Sequence, residues 1–327
     1  MKLITLDDFI DTYFKIRQRG SSFLFSKFNF NNEKRTKSAF DNTSFISSYF
    51  WSIPKVLERW NLLITGKKDQ NYIDYLTQDF LKDKSGLRLL SLGSGISNRE
   101  IELAEHNTIF KEIVCVDIAD NLLKIAAKSA KDKNVTNIKF IAKNIAIFDF
   151  KENDFDIIFF KSSLHHFDNI EDFLSGKIKH SLKPDGLLII NEFVGTTRHQ
   201  FSRNQINAIN DAIAIIPKKF RTRFRSKFYK NKYRGVGILR MIIADPSECV
   251  DSGSIMPSIH KNYNTIVEKS YGGNLLMSAL RDISHHFFEL NNEKEEILKA
   301  LFLLEDKFLE SNQSDFVFGV YENKKNS

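Results

Sequence analysis

Two adjacent histidines, His165 and His166, follow an apolar run, Phe155 to Phe160, and its polar exit Lys161-Ser162-Ser163. Imidazole titrates near neutrality, so a histidine at the mouth of a cleft can take the proton of a hydroxyl as that oxygen attacks an electrophile. Glu192 closes a second apolar run, Leu187 to Asn191. Its carboxylate can orient a histidine, accept a hydrogen bond from an acceptor, or hold an amine. Asn191 faces the other way if the strand pleat persists. His199, between Arg198 and Gln200, is the second candidate base. His285 and His286 fall in a later helical region and read as surface or packing residues. No His, Cys, Asp or Glu grouping has metal-ligand spacing, so no metal is expected. Cys115 and Cys249 are the only cysteines and offer no disulfide framework.

These side chains need a scaffold, and the preceding segments supply one. Leu87, Leu89, Leu90 and Leu92 form a short apolar strand that ends in Gly93-Ser94-Gly95. A helical pattern with Ile101, Leu103 and Ala104 begins near Asn98. Strand, glycine turn and helix N-terminus make a nucleotide-binding crevice. A dinucleotide fingerprint needs a third glycine where Asn98 stands, and no Gly-Lys-Ser/Thr follows for a Walker loop. What remains is the strand–GxG–helix arrangement in which glycine leaves room for the amino-acid end of S-adenosylmethionine (SAM). A second strand, Glu112 to Ile118, ends in Asp117, a carboxylate placed to take both ribose hydroxyls. A third, Ile138 to Ile145, carries Asn144 toward an adenine edge. The fourth is Phe155 to Phe160. A Pro-Asp-Gly turn, Pro184 to Gly186, then feeds the fifth, Leu187 to Asn191. Five strands alternating with helices predict a parallel, doubly wound sheet.

LSLGSGISNRE, VCVDI, the LHHF after the fourth strand and LKPDGLLIINE together resemble the motifs of class I SAM-dependent methyltransferases. The resemblance is strong over residues 86–195. More loosely, YFWSIPKVLERWNLLITG and ADPSECV look like segments of a subset of bacterial methyltransferases. The resemblance implies an α/β fold, a doubly wound, mostly parallel, seven-stranded sheet whose last two strands form a hairpin with one antiparallel member. Tyr263 to Lys269 and Asp315 to Tyr321 are the candidates for that pair. It also implies SAM as cofactor, held by Gly93, Ser94, Gly95, Asp117, Ile118, Asn144, Ile145, Lys161 and Ser162. Asn144 stands where Asp is commoner, and Ser94 where many members have Cys. No Asn/Asp-Pro-Pro-Tyr-like tetrapeptide follows the fourth strand, where Ser162-Ser163 stand instead, which argues against methylation of nucleic-acid amino groups.

The expected activity is methyl transfer to a small-molecule or glycan acceptor, most readily at a hydroxyl oxygen, with His165, His166, Glu192 and His199 as catalytic candidates. The alternatives are an RNA or protein methyltransferase and a non-catalytic SAM-binding partner protein. A nicotinamide oxidoreductase is the weakest reading.

Composition shapes the rest. The chain has 327 residues and a net charge of +7, with ten Lys or Arg and no acid between Asp211 and Asp245. Phe220, Phe224 and Phe228 recur there at one helical turn, so a basic helix over 218–240 with an aromatic stripe is expected. The plain reading is a surface helix that docks its phenylalanines on the catalytic domain and leaves its charges in solvent; the other is a face for an anionic acceptor or lipid headgroups, with peripheral membrane contact compatible and nucleic acid disfavoured. Residues 1–85 read as a helical N-terminal cap containing Trp51 and Trp60. Residues 86–327 read as the SAM-binding domain, with 196–258 an inserted substrate-recognition lid, because an insertion after the fifth strand hangs over the reacting end of the crevice. Asp7 and Asp8 interrupt any leader-like apolar run, and no stretch approaches the ~20 apolar residues of a membrane span. The cytoplasm is therefore the expected compartment. Oligomeric state leaves no mark on the sequence.

Overall fold

The computed structural model describes residues 2–19 and 49–324. Its centre is a sheet of β1 (Leu87–Leu92), β2 (Phe110–Asp117), β3 (Ile138–Ala142), β4 (Phe155–Lys161), β5 (Leu182–Phe193), β6 (Tyr263–Gly272) and β7 (Phe316–Asn323). The order is β3-β2-β1-β4-β5-β7-β6. Strands β1 to β5 run parallel, and β7 lies antiparallel to both β5 and β6. The two terminal strands pair as expected, although a long connection with its own helix, not a tight turn, joins them. Chain order reverses between β1 and β4, so a crevice opens at the carboxyl ends of those strands.

The central strands β1, β4 and β5 are largely apolar because both faces of the sheet are covered there. Leu89, Ile157, Phe159 and Ile189 join the core on one face. Leu90, Leu92, Ile158, Phe160, Leu188 and Ile190 join the core on the other. A third core involves the additions. Phe50, Ile53 and Val56 from the N-terminal segment share one core with Ile209, Ile213, Leu298 and Leu301, and Phe193 at the end of β5 belongs to it.

The helices follow local signals. Helix α1 is Leu6–Arg19. Helix α2, Pro54–Thr65, starts with proline in its first turn and stops at Gly66, whose φ is +81°. Trp60 on α2 packs against Tyr271 and Phe316, while Trp51 stays partly exposed and stacks on Tyr49. Helices α3 (Asn98–Ala104) and α4 (Asp120–Asp132) flank the glycine turn and β2. Helix α5 (Arg203–Ile215) opens the inserted segment and is capped by Ser202. Helices α6 (Ile238–Ala244), α7 (Ile255–Asn262) and α8 (Asn292–Leu309) complete those used below.

The expected basic helix over 218–240 does not form. A three-residue turn, Lys218–Phe220, leads into an isolated bridge between Thr222 and Tyr229, and only α6 is helical. The aromatic stripe divides instead of docking on one face. Phe220 meets Phe287, Phe224 meets His285, and Phe228 is exposed. Much of the charge is spent internally on acids outside the run. Arg223 pairs with Asp282 at 2.6 Å, Lys219 with Glu293 at 2.7 Å, and Arg234 and Arg240 reach Asp7 and Asp8 of α1. Lys230 is buried, with Nζ donating to the carbonyls of Ser278 and Arg281.

Two boundaries also shift. Strand β3 stops at Ala142, not Ile145, because Asn144 Oδ1 accepts from Ala146 N and starts a turn over Ile145–Ile147. The Lys183–Gly186 turn lies inside β5, as an excursion where the register with β4 skips from Leu182 to Leu187. No described helix is long and apolar enough to cross a membrane.

Candidate active site

Gly93 sits where the loops after β1 and β4 touch. Its φ is +71°, and a Cβ there would lie 2.7 Å from Ser163 Cβ, so both conformation and contact require glycine. Gly93 N donates to Val116 O at 2.8 Å, which ties the turn to the end of β2. Asp117 is buried there: Oδ2 accepts from Gly95 N at 2.8 Å and Oδ1 from Ala119 N at 2.7 Å. Each oxygen thus holds one backbone amide and keeps a lone pair for a hydroxyl donor. Ser94 accepts a hydrogen bond from Ser97 Oγ at 3.0 Å, and Ile118 is half-buried beside the acid.

Lys143 N donates to Asp117 O, which brings Asn144 and Ile145 to the same rim. Asn144 Oδ1 is committed to its own turn, leaving its amide NH2 as the group that can face a base edge. Lys161 and Ser162 are exposed at the exit of β4, and Ser162 has a φ of +51°. Glu100 closes the LSLGSGISNRE motif but is not among the residues that the resemblance assigns to the cofactor. It is buried behind the glycine turn and accepts from Ser91 Oγ at 2.7 Å; burial raises its pKa against that hydrogen bond. An acid flanking Ile101 on the apolar side of α3 was the available signal.

Glu192 braces the loop after β4. Its carboxylate is fully buried; Oε1 accepts from the backbone amides of Ser163 and Leu164, and Oε2 lies 2.7 Å from His165 Nδ1. A carboxylate can only accept, so this contact places the proton on Nδ1 and leaves Nε2 with a lone pair. Nε2 makes no hydrogen bond to a described residue. Burial pulls the His165 pKa down, but the charge of Glu192 and its hydrogen bond outweigh that, and the net direction is up. His166, with its ring 4.3 Å away, moves down through burial and the neighbouring His165. Environment thus separates two identical groups. Asn191 turns to the opposite face and accepts from Tyr271, as the pleat requires.

His199 lies in a turn where Arg198 and His199 both take positive φ, +55° and +48°. Its Nε2 is 3.3 Å from Glu248 Oε1 and 3.3 Å from Cys249 Sγ, while Cys249 Sγ is 3.5 Å from Glu248 Oε1. Glu248 Oε2 is 4.0 Å from His166 Nε2. Burial raises the Glu248 pKa, but the hydrogen bond to His199 and the nearby histidines overcome it and hold the acid well below its usual range. Glu248 therefore links the His165–His166 pair to His199. Sequence spacing shows no metal-ligand grouping, but the fold brings three such side chains together. His199, Glu248 and Cys249 converge because Arg198 N donates to Cys249 O, folding together two segments far apart in sequence. His285 and His286 lie elsewhere and pack, with His286 Nε2 2.9 Å from Thr222 O.

A family model described as a methyltransferase domain matches residues 83–261, more than half of the chain. The chain belongs to that family, the class I SAM-dependent methyltransferases. Among curated relatives, phosphoethanolamine N-methyltransferase 2 of Caenorhabditis elegans is 24% identical over 157 residues, covering 48% of this chain and 33% of that protein. The ubiquinone/menaquinone biosynthesis C-methyltransferase UbiE of Shewanella frigidimarina is 27% identical over 136 residues, covering 41% of this chain and 53% of its own. The chain thus spans between a third and about half the length of these relatives. Of solved structures, Haemonchus contortus phosphoethanolamine N-methyltransferase 2 in complex with SAM has a TM-score of 0.46 at 15% identity, with 89% of this chain and 60% of that chain covered.

Proposed function

We propose that the protein transfers the methyl group of SAM to a hydroxyl of a small-molecule or glycan acceptor, with His165 as base and Glu192 positioning it. The observation that carries this reading is the contact between Gly93 and Ser163, which sets the His165–Glu192 pair two residues from the cofactor cradle. The residues present fit SAM: a glycine turn that a Cβ would fill, and a buried carboxylate with spare lone pairs at the end of β2. When bound, SAM supplies a methyl group on a sulfonium leaving centre.

The chain's own residues do the remainder. Asp117 and the Gly93–Gly95 turn fix the donor, and Ser163, which donates through Oγ to Leu92 O at 2.7 Å, locks the base-bearing loop to the strand that carries that turn. His165 Nε2 takes the acceptor proton, and Glu192 stabilises the imidazolium that results. The inserted segment packs into the core around Phe193, which holds it at this end of the sheet. Holding oxygen and methyl carbon about 3 Å apart and in line supplies most of the acceleration.

The relatives' names include an N- and a C-methyltransferase, so the acceptor atom is the point to test. An amine acceptor presented neutral needs no base, whereas a hydroxyl does. Methyl-labelled SAM incubated with panels of polyols, glycans, phenols and amines should label an ether, and His165→Ala should abolish that labelling. Label found only on nitrogen or carbon refutes the oxygen assignment.

A further inference from the structure

We propose that His199, Glu248 and Cys249 form a binding site for a thiophilic divalent ion of the zinc type. The donors are His199 Nε2, Glu248 Oε1 and Cys249 Sγ, which form a triangle with edges of 3.3, 3.3 and 3.5 Å. A tetrahedral ion at ordinary zinc distances from nitrogen, oxygen and sulfur separates its ligand atoms by about 3.3–3.6 Å. The three donor atoms are therefore already spaced as one face of such a tetrahedron.

Surroundings and chemistry agree with that geometry. Imidazole, carboxylate and thiolate together are a set that zinc accepts and that magnesium or calcium does not. Glu192, Asp245 and Glu248 bring three carboxylates to this end of the sheet. Arg198, the adjacent guanidinium, donates to the backbone carbonyl of Glu248 instead of the carboxylate. Three carboxylates against this one guanidinium leave the site favourable to a cation. Cys249 is fully buried while Glu248 is half-buried, so the ligands form a wall with one side toward solvent. Three protein ligands and one open position is the pattern of an exchangeable, not a closed structural, centre.

The placement assigns a role that does not depend on the identity of the methyl acceptor. His199 belongs to the first stem of the inserted segment, and Glu248 and Cys249 belong to its returning stem. An ion held by all three clips both stems together over β5, next to His166. Binding releases the Cys249 thiol proton to solvent as the Sγ–metal bond forms.

Cobalt(II) titration of chelator-treated full-length protein tests this directly. One equivalent should produce the thiolate-to-cobalt charge-transfer band and the visible bands of tetrahedral cobalt, and zinc should displace both. Cys249→Ser should remove the charge-transfer band. His199→Ala should weaken cobalt binding by more than the ~10–100-fold that outer partners of a metal site are worth. Cys115→Ser, which alters the other cysteine, should leave the spectrum intact; circular dichroism confirms that each variant is folded. No saturable tetrahedral spectrum, or a charge-transfer band that survives in folded Cys249→Ser, overturns the proposal.

Discussion

Replacing Glu192 by glutamine removes one charge and almost no volume, so its effect isolates what the carboxylate does. Oε1 accepts from two backbone amides, Ser163 N and Leu164 N, and Oε2 meets His165 Nδ1 at 2.7 Å. The amide oxygen of glutamine must keep the two backbone donors, since leaving them unpaired in a buried site costs about 1–3 kcal/mol each. Its NH2 then faces Nδ1. The ring avoids a donor–donor clash by moving its proton to Nε2, the atom required to accept one. Two losses follow. The charge-assisted hydrogen bond, worth about 1.5–3 kcal/mol, is gone. Base catalysis, worth about 10²–10⁴-fold, is gone with it.

Long-range nitrogen–proton NMR of the imidazoles reads the tautomer without any acceptor. The proton should sit on Nδ1 of His165 in the natural protein and on Nε2 in Glu192→Gln, with SAM affinity by calorimetry unchanged. The variant's His165 should also titrate lower, because burial is then opposed only by the more distant charges of Glu248 and Asp245. The pH dependence has a definite sign. A histidine whose folded pKa is raised stabilises the fold fully below its unfolded value and loses that contribution as pH rises through the folded value. The stability gap between the natural protein and the variant should therefore narrow with rising pH across that interval. An unchanged tautomer and an unchanged His165 titration would refute the positioning role of Glu192.

Other consequences are equally concrete. Gly93→Ala places a Cβ 2.7 Å from Ser163 Cβ at a φ of +71°, and should cost at least the ~1–3 kcal/mol of a strained backbone by chemical denaturation while weakening SAM binding. Asp117→Ala should weaken SAM by about 1–3 kcal/mol in calorimetry, and unchanged affinity would remove Asp117 from the site. Asp315 is buried, and burial lifts its pKa to about 7 against the hydrogen bond from Gln205 at 2.8 Å. Its folded value exceeds the unfolded one, so its contribution is intact below the unfolded value of about 3.9 and is lost as pH rises toward 7. Asp315→Asn should flatten that slope, as melting temperatures at mildly acidic and mildly alkaline pH will show.

The parallel sheet could be read in advance because strands covered on both faces must be apolar throughout, as in Leu89-Leu90 and Ile157 to Phe160. Gly93 and Asp117 were legible for a related reason, since each terminates such a run at a crevice. The basic segment misled because its period was helical while its partners lay elsewhere: Asp282, Glu293, Asp7 and Asp8 draw Arg223, Lys219, Arg234 and Arg240 out of any common face. Asn144 shortened β3 through a side-chain bond to Ala146 that competes with the ladder. The His199, Glu248 and Cys249 cluster was hidden by linear distance, because spacing rules detect ligands on one turn or helix and miss those joined by a long insertion.

SAM binding by isothermal titration calorimetry, on the natural protein and on Asp117→Ala, probes the whole construction at its base. A saturable one-to-one isotherm that weakens in the variant is the expected result. Silence toward SAM from folded protein that instead saturates with NAD or ATP would contradict it.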